Sequence, residues 1–153
     1  MDIDWYDGDR AALRPLFEYA EDSATRLDGY LPLGRVLAAR RAGTVVGHLQ
    51  LIPTGGPDEI ELNSLAVVPE QRGTGVGRAL VEEARRRCAD EGWRHMVVAT
   101  ATADVGNLRF YQRVGFRMRS VERDAFTPAT GYPEPIDIDG IRLRDRVWLD
   151  GEL

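Results

Sequence analysis

A single cysteine, Cys88, stands among 153 residues, so no disulfide can close within the chain. Histidine is nearly as scarce: His48 and His95 fall in separate apparent strands, and with one cysteine they form no metal-ligand spacing, so no metal is expected. No apolar run approaches the roughly 20 residues that a membrane-crossing helix needs. The opening Met-Asp-Ile-Asp lacks the basic-then-apolar layout of a secretion signal, and the expectation is a cytoplasmic protein with no membrane partner. Nor is there an excess of basic charge. Lys and Arg total 20 against 25 for Asp and Glu, and the net charge of -5 argues against a nucleic-acid groove despite the local run Arg85-Arg86-Arg87. An acidic balance suits a cationic or amine-bearing partner better.

What is present is ordinary in amount and particular in order. At 43% hydrophobic and 29% charged, residues 1–153 suit one globular domain with one core. The stretch from Leu62 to Val81 organises the rest: a strand stopped at Pro69, a turn carrying Gly73, Gly75 and Gly77, and a helix that starts among those glycines. A helix start offers unpaired N–H groups and about half a positive charge, and glycine lets a phosphate approach the backbone. Two familiar phosphate templates are missing. No Lys follows the glycines, as a nucleotide-hydrolase loop requires, and their alternate spacing does not match Gly-x-Gly-x-x-Gly.

The remaining elements read from periodicity and punctuation. Ile3–Trp5 is a short strand, Asp9 caps a helix running to about Asp22, and a second short helix spans Ser23 to Tyr30. Arg35–Arg41 and Thr44–Ile52 form a hairpin, and Ile60–Val68 is the next strand, with Glu61 and Asn63 on one side beside Leu65 and Val67. Val76, Ala79, Leu80, Ala84 and Cys88 make the apolar stripe of the following helix, where Cys88 is a packing residue. His95–Thr100 reads as a buried parallel strand, and strand, helix, strand implies a right-handed crossover. A helix holding Leu108, Tyr111 and Val114 precedes strands at Phe116–Glu122 and 141–149. The latter carries Ile141, Leu143, Val147 and Leu149 on one face and offers an edge to a second copy, hence a homodimer. Between them, residues 124–140 are too long for a hairpin turn and are expected to close over a site.

Arg72-Gly-Thr-Gly75-Val-Gly77 is similar to the Arg/Gln-x-x-Gly-x-Gly/Ala signature of the GNAT N-acetyltransferase superfamily. Asn107-Leu-Arg-Phe110-Tyr111, running on to Gly115-Phe116, resembles its second recurring segment. The resemblance is strong from about Val36 to Phe116. It implies an α/β (α+β) fold: a mixed, mostly antiparallel sheet of six to seven strands with a splayed parallel pair, flanked by about four helices. It also implies an acetyl-coenzyme A dependent N-acetyltransferase moving acetyl to a primary amine, of a small molecule or of a peptide, by direct attack in a ternary complex. A non-catalytic acyl-coenzyme A binding domain of the same fold is the alternative.

Acetyl transfer from a thioester to an amine needs a held donor, an uncharged amine, a dipole for the carbonyl oxygen and a proton for the departing thiolate. The donor's pyrophosphate would rest on the backbone of Arg72, Gly73, Thr74, Gly75, Val76, Gly77 and Arg78, with Arg72 or Arg78 adding charge. The resemblance lays the pantetheine arm along Leu65, Ala66 and Val67, where a free backbone N–H polarises the acetyl carbonyl. It also makes Tyr111 the general acid and brings first-helix residues such as Glu18, Glu21 and Asp22 to the acceptor. Glu61, or its neighbour Glu59, would take the ammonium proton. Relatives often carry a donor-contacting Asn about seven residues before the tyrosine. Asp104 stands there instead, and Asn107 can substitute for it.

Overall fold

The computed structural model describes residues 1–153. Seven strands form one twisted sheet: β1 (Asp2–Trp5), β2 (Arg35–Arg41), β3 (Thr44–Pro53), β4 (Glu59–Val67), β5 (His95–Ala101), β6 (Arg117–Glu122) and β9 (Arg146–Glu152). Their spatial order is β1-β2-β3-β4-β5-β9-β6, antiparallel except for β4 beside β5. A separate two-stranded hairpin joins β7 (Asp137–Ile138) to β8 (Ile141–Arg142). Four α-helices accompany the sheet: α1 (Arg14–Phe17), α2 (Ala24–Tyr30), α3 (Val76–Asp90) and α4 (Val105–Arg113). The mixed, mostly antiparallel architecture expected from the sequence is the one observed.

Alternation along β2 sends Leu37 to one face of the sheet and Val36 to the other, and a cluster grows on each. On the first face, Val76, Leu80, Val81, Ala84 and Cys88 of α3 pack with Leu37, Leu49, Leu62 and Leu149 in an 18-residue core. Burial pushes the Cys88 thiol up to about 11, which fits a packing role. Gly47 lets α3 approach closely, since a Cβ there would lie 3.0 Å from Val76 and 3.2 Å from Leu80. On the second face, Leu13, Phe17, Leu27 and Leu31 pack against Val36.

Three local expectations change. The first helix does not run from Asp9 to Asp22. Asp9 caps a 3-10 turn over Arg10–Leu13, α1 follows for one turn, and Tyr19 and Ala20 close with three-residue bonds to Leu16 and Phe17. Pro15, which lacks an N–H and crowds the preceding turn, restarts the helix instead of continuing it.

The last strand is also divided. Leu143 N–H bonds to Ile136 O (2.8 Å), and its side chain packs with Ala101 and Tyr132 in a third cluster. The chain therefore leaves β8 and enters the main sheet only at Arg146. Val147 and Leu149 reach the core, whereas Ile141 is exposed. Finally, β9 is paired on both sides, by β5 and β6, so it offers no free edge; the open edges belong to β1 and β6.

Candidate active site

The glycine turn has the geometry its composition suggests. Gly73 and Gly75 take positive φ values of 75° and 92°, a region where side chains with a Cβ cost about 1 kcal/mol or more. Gly75 is the N-cap of α3 and brings no capping side chain. In consequence, the backbone N–H groups from Gly73 through Arg78 donate to nothing within the protein; the first bond of the helix is Ala79 N–H to Gly75 O (3.0 Å). The flanking arginines differ in direction. Arg72 turns inward, where its Nε donates to Val67 O (3.0 Å) and its guanidinium lies 5.2 Å from the Tyr19 ring centre. Arg78 instead pairs with Glu82 (2.9 Å) along the exposed face of α3.

Beside the turn the sheet opens. β4 and β5 pair only from Glu59 with His95 to Leu62 with Val98, although β4 runs on to Val67 and β5 to Ala101. The β3–β4 register slips between Gln50 and Leu51, placing Leu62 opposite Leu51 but Ser64 opposite Gln50. This bulge corrects the alternation expected for β4. Leu62, Leu65 and Val67 turn to the α3 side, whereas Ser64 meets His48 (Oγ to Nε2, 2.8 Å) on the α1 side and Asn63 Nδ2 donates to Gln50 Oε1 (2.9 Å). Val68 N–H bonds to Val46 O (2.9 Å), so antiparallel alternation turns Ala66 toward β3 and leaves the peptide groups of Leu65 and Val67 facing the gap.

A cavity of about 700 Å³ fills that gap. Glu61, Leu65, Ala66, Val67, Arg72, Gly77, Asn107 and Tyr111 all line it; Gly73, Thr74, Gly75 and Val76, although expected at the site, lie in the turn between Arg72 and Gly77 without lining it, and Arg78 points elsewhere. Tyr111 is 6% exposed, with Phe110 and Phe116 edge-on to its ring, and its hydroxyl has no hydrogen-bond partner in the protein. Burial, and then the charge of Asp104, hold its pKa above the ordinary phenol value, so it stays protonated.

Glu61 forms neither an ion pair nor a side-chain hydrogen bond. Burial raises its pKa, against which the charges of Arg146 and Arg26 act. Glu59 does not line the cavity: Thr54 Oγ1 donates to it (2.8 Å) and Arg119 lies 3.4 Å away. Asp104 is occupied as the N-cap of α4, accepting from Asn107 N–H (2.9 Å), which leaves the Asn107 amide on Thr100 Oγ1 (3.3 Å) in the cavity.

The far end is built from segments that sequence reasoning assigned least. Of the three first-helix carboxylates, Glu21 and Asp22 reach the cavity and Glu18 does not. Residues 124–140 contribute Phe126, Tyr132 and Ile138, and Tyr132 Oη donates to Glu21 Oε2 (2.6 Å), tying this segment to the first helices. Arg26, Tyr30, Arg146 and Trp148 complete the wall. Tyr132 sat in plain view among prolines and glycines, but only its 111-residue separation from Glu21, bridged by the fold, gives it a role.

The family model described as the acetyltransferase (GNAT) family matches residues 4–116. The protein called Uncharacterized N-acetyltransferase YvbK of Bacillus subtilis (strain 168) is 29% identical over 140 residues, 90% of this chain and 88% of its own. Among solved structures, an IAA acetyltransferase from Bacillus cereus ATCC 14579 has a TM-score of 0.87 and 29% identity, covering 99% of this chain and 100% of that one. A GNAT family acetyltransferase from Elizabethkingia anophelis with acetyl-CoA bound has a TM-score of 0.90 and 26% identity, covering 99% and 97%. The chain belongs to the acetyltransferase (GNAT) family.

Proposed function

We propose that this protein transfers acetyl from acetyl-coenzyme A to a primary amine by direct attack while both are bound. The observation that carries the reading is one cavity that meets the start of α3 at Gly77, within a run of six consecutive unpaired N–H groups from Gly73 to Arg78, and is lined also by the β4 edge at Leu65 and Val67 and by the unpartnered Tyr111 hydroxyl. Unpaired amides at a helix start hold a pyrophosphate, and Arg72 adds charge from the inner side. The gap between β4 and β5 receives the pantetheine arm as an extra strand, and an N–H of β4 there polarises the thioester carbonyl. Asn107 contacts the donor in place of Asp104, whose carboxylate is spent on capping. The acetyl-CoA held by the Elizabethkingia relative supports the donor's identity.

Glu61 removes the proton from the incoming ammonium, directly or through water, and the neutral amine attacks. As the tetrahedral adduct collapses, the carbon–sulfur bond breaks, Tyr111 protonates the leaving thiolate, and the extra proton on the adduct nitrogen passes, directly or through water, to the Tyr111 phenolate and restores it. The Tyr111 ring packs in the core while its protonated hydroxyl reaches the cavity with no partner, which supports a donor to the thiolate beyond a packing role.

The test is thiol release from acetyl-coenzyme A across a panel of amines. Tyr111→Phe is expected to lower kcat about a hundredfold with coenzyme affinity within about twofold of the parent. Unchanged kcat would leave Tyr111 a packing residue and favour the binding-only reading.

A further inference from the structure

Resting on the acetyl-transfer reading, we propose that the acceptor is a small zwitterionic amine of the α-amino acid class, its ammonium met by Glu61 and its carboxylate by Arg146 and Arg26. The far end of the cavity holds charges of both signs that do not satisfy one another. Glu61 has no ion-pair or hydrogen-bond partner, although two guanidinium groups line the same space. Arg146, projecting from β9, has a side chain only 15% exposed, and its one carboxylate contact is Glu122 at a long 3.5 Å. That same Glu122 oxygen takes a shorter bond from Trp148 Nε1 (3.1 Å). Arg26 reaches Glu21 only at 3.9 Å, while Glu21 accepts closer bonds from Tyr132 Oη (2.6 Å) and Ser23 N–H (3.1 Å).

Arg146, largely withdrawn from water with only a long carboxylate contact, is costly to hold there until an anion arrives, whereas Arg26, 40% exposed, adds charge at less cost; the planar fork of donors of each suits a carboxylate. A plain amine would satisfy Glu61 but set its positive charge beside two unanswered arginines. A simple acid would satisfy the arginines but offers no nitrogen to acetylate. A molecule bearing both groups a few ångströms apart answers all three side chains. Arg26, Glu61, Tyr132 and Arg146 all line the one cavity, so the charges face a shared space. The Tyr132–Glu21 bond draws residues 124–140 against the first helices on this side, favouring a small acceptor over a protein segment. Phe126 and Trp148 supply an aromatic wall for the acceptor's body.

The experiment compares kcat/KM, by thiol release from acetyl-coenzyme A, for L-phenylalanine and L-leucine, their amides, and phenethylamine and isoamylamine. The amino acids are expected to exceed their amides and decarboxylated amines by about tenfold or more, the scale of a charge-assisted hydrogen bond. The amides hold more free amine at neutral pH, so this order runs against intrinsic nucleophile supply. Arg146→Gln and Arg26→Gln are each expected to reduce that ratio toward one, and Arg146→Lys to retain part of it; calorimetric coenzyme A uptake by each variant reports that it is folded. Equal or better turnover of the amides and plain amines overturns the zwitterion while upholding acetyl transfer. Release with none of the acceptors, despite coenzyme uptake, overturns both.

Discussion

Glu61 and Tyr111 come from different elements, β4 and α4, yet the same force acts on both: withdrawal from water favours the protonated form. For Glu61 the consequences for activity and stability have opposite signs. As a base it must be ionised, so kcat/KM should fall as pH drops through a midpoint above the ordinary carboxylate value. Glu61→Gln should flatten that acid limb and lower kcat/KM about tenfold or more in pH–rate profiles. A carboxyl whose pKa is raised on folding binds more protons folded than unfolded between the two values, so stability declines as pH rises through that window. Glu61→Gln is therefore expected to melt no lower than the parent at pH 7, and higher if the carboxylate is the only loss.

His48 behaves in the converse way. It is fully buried, stacked 3.8 Å from Phe17 and bonded to Ser64, and burial holds its pKa down to about 3 against 6.5 unfolded. Its contribution is complete above pH 6.5 and lost as pH falls toward 3, at no more than about 1.4 kcal/mol per pH unit. Denaturant melts between pH 7 and 4 should show a shallower slope for His48→Gln. Tyr111 was readable because Phe110-Tyr111, followed by Gly115-Phe116, resembles the family's second recurring segment; its place on an apolar stripe alone would have made it a packing residue. Arg26, Arg146 and Tyr132 were not, because an arginine or tyrosine in a polar stretch looks the same in sequence whether it faces solvent or a cavity.

At the scale of elements, punctuation was legible and interruption was not. The glycines at 73, 75 and 77 marked the α3 start, and Asp104 and Ser23 cap helices as such residues do. The bulge in β4 left no mark, since Asn63 and Ser64 both fit a strand. At the bulge Gln50 of β3 stands opposite Ser64 and also accepts from Asn63 Nδ2 (2.9 Å), so two β4 residues answer to one on β3. The division of the last strand likewise depends on Leu143 finding Tyr132, a contact local pattern cannot anticipate. Among the contacts that hold residues 124–140 over the site, the Tyr132–Glu21 hydrogen bond can be cut while the packing of the Tyr132 ring is kept. Tyr132→Phe should raise the KM for the acceptor severalfold while coenzyme A affinity stays within about twofold, measured by initial rates and calorimetry. A coenzyme affinity that falls in step would tie this segment to the donor instead.

Across the whole molecule, the sheet consists of two parts, β1 to β4 and β5, β9 and β6, joined by four residue pairs of a parallel ladder. A ligand seated in the remaining gap completes the sheet, so coenzyme A should raise the melting temperature as well as bind. All twenty basic residues are arginine, which leaves no lysine side chain for self-acetylation to confuse an acceptor assay. No helix is long and apolar enough to cross a membrane. The mixed, mostly antiparallel sheet with its splayed parallel pair followed from the family resemblance; the order of its strands did not. The depth of the cavity and the identity of its walls required the three-dimensional course of segments far apart in sequence.

Isothermal titration of the purified protein with coenzyme A is the most direct measurement. One equivalent should bind with a dissociation constant below about 1 mM, and Gly75→Glu, which sets a carboxylate on the unpaired amides at a positive φ, should weaken uptake at least about tenfold. No heat of binding for the parent, or undiminished uptake by a folded Gly75→Glu variant, would contradict a donor held at the start of α3.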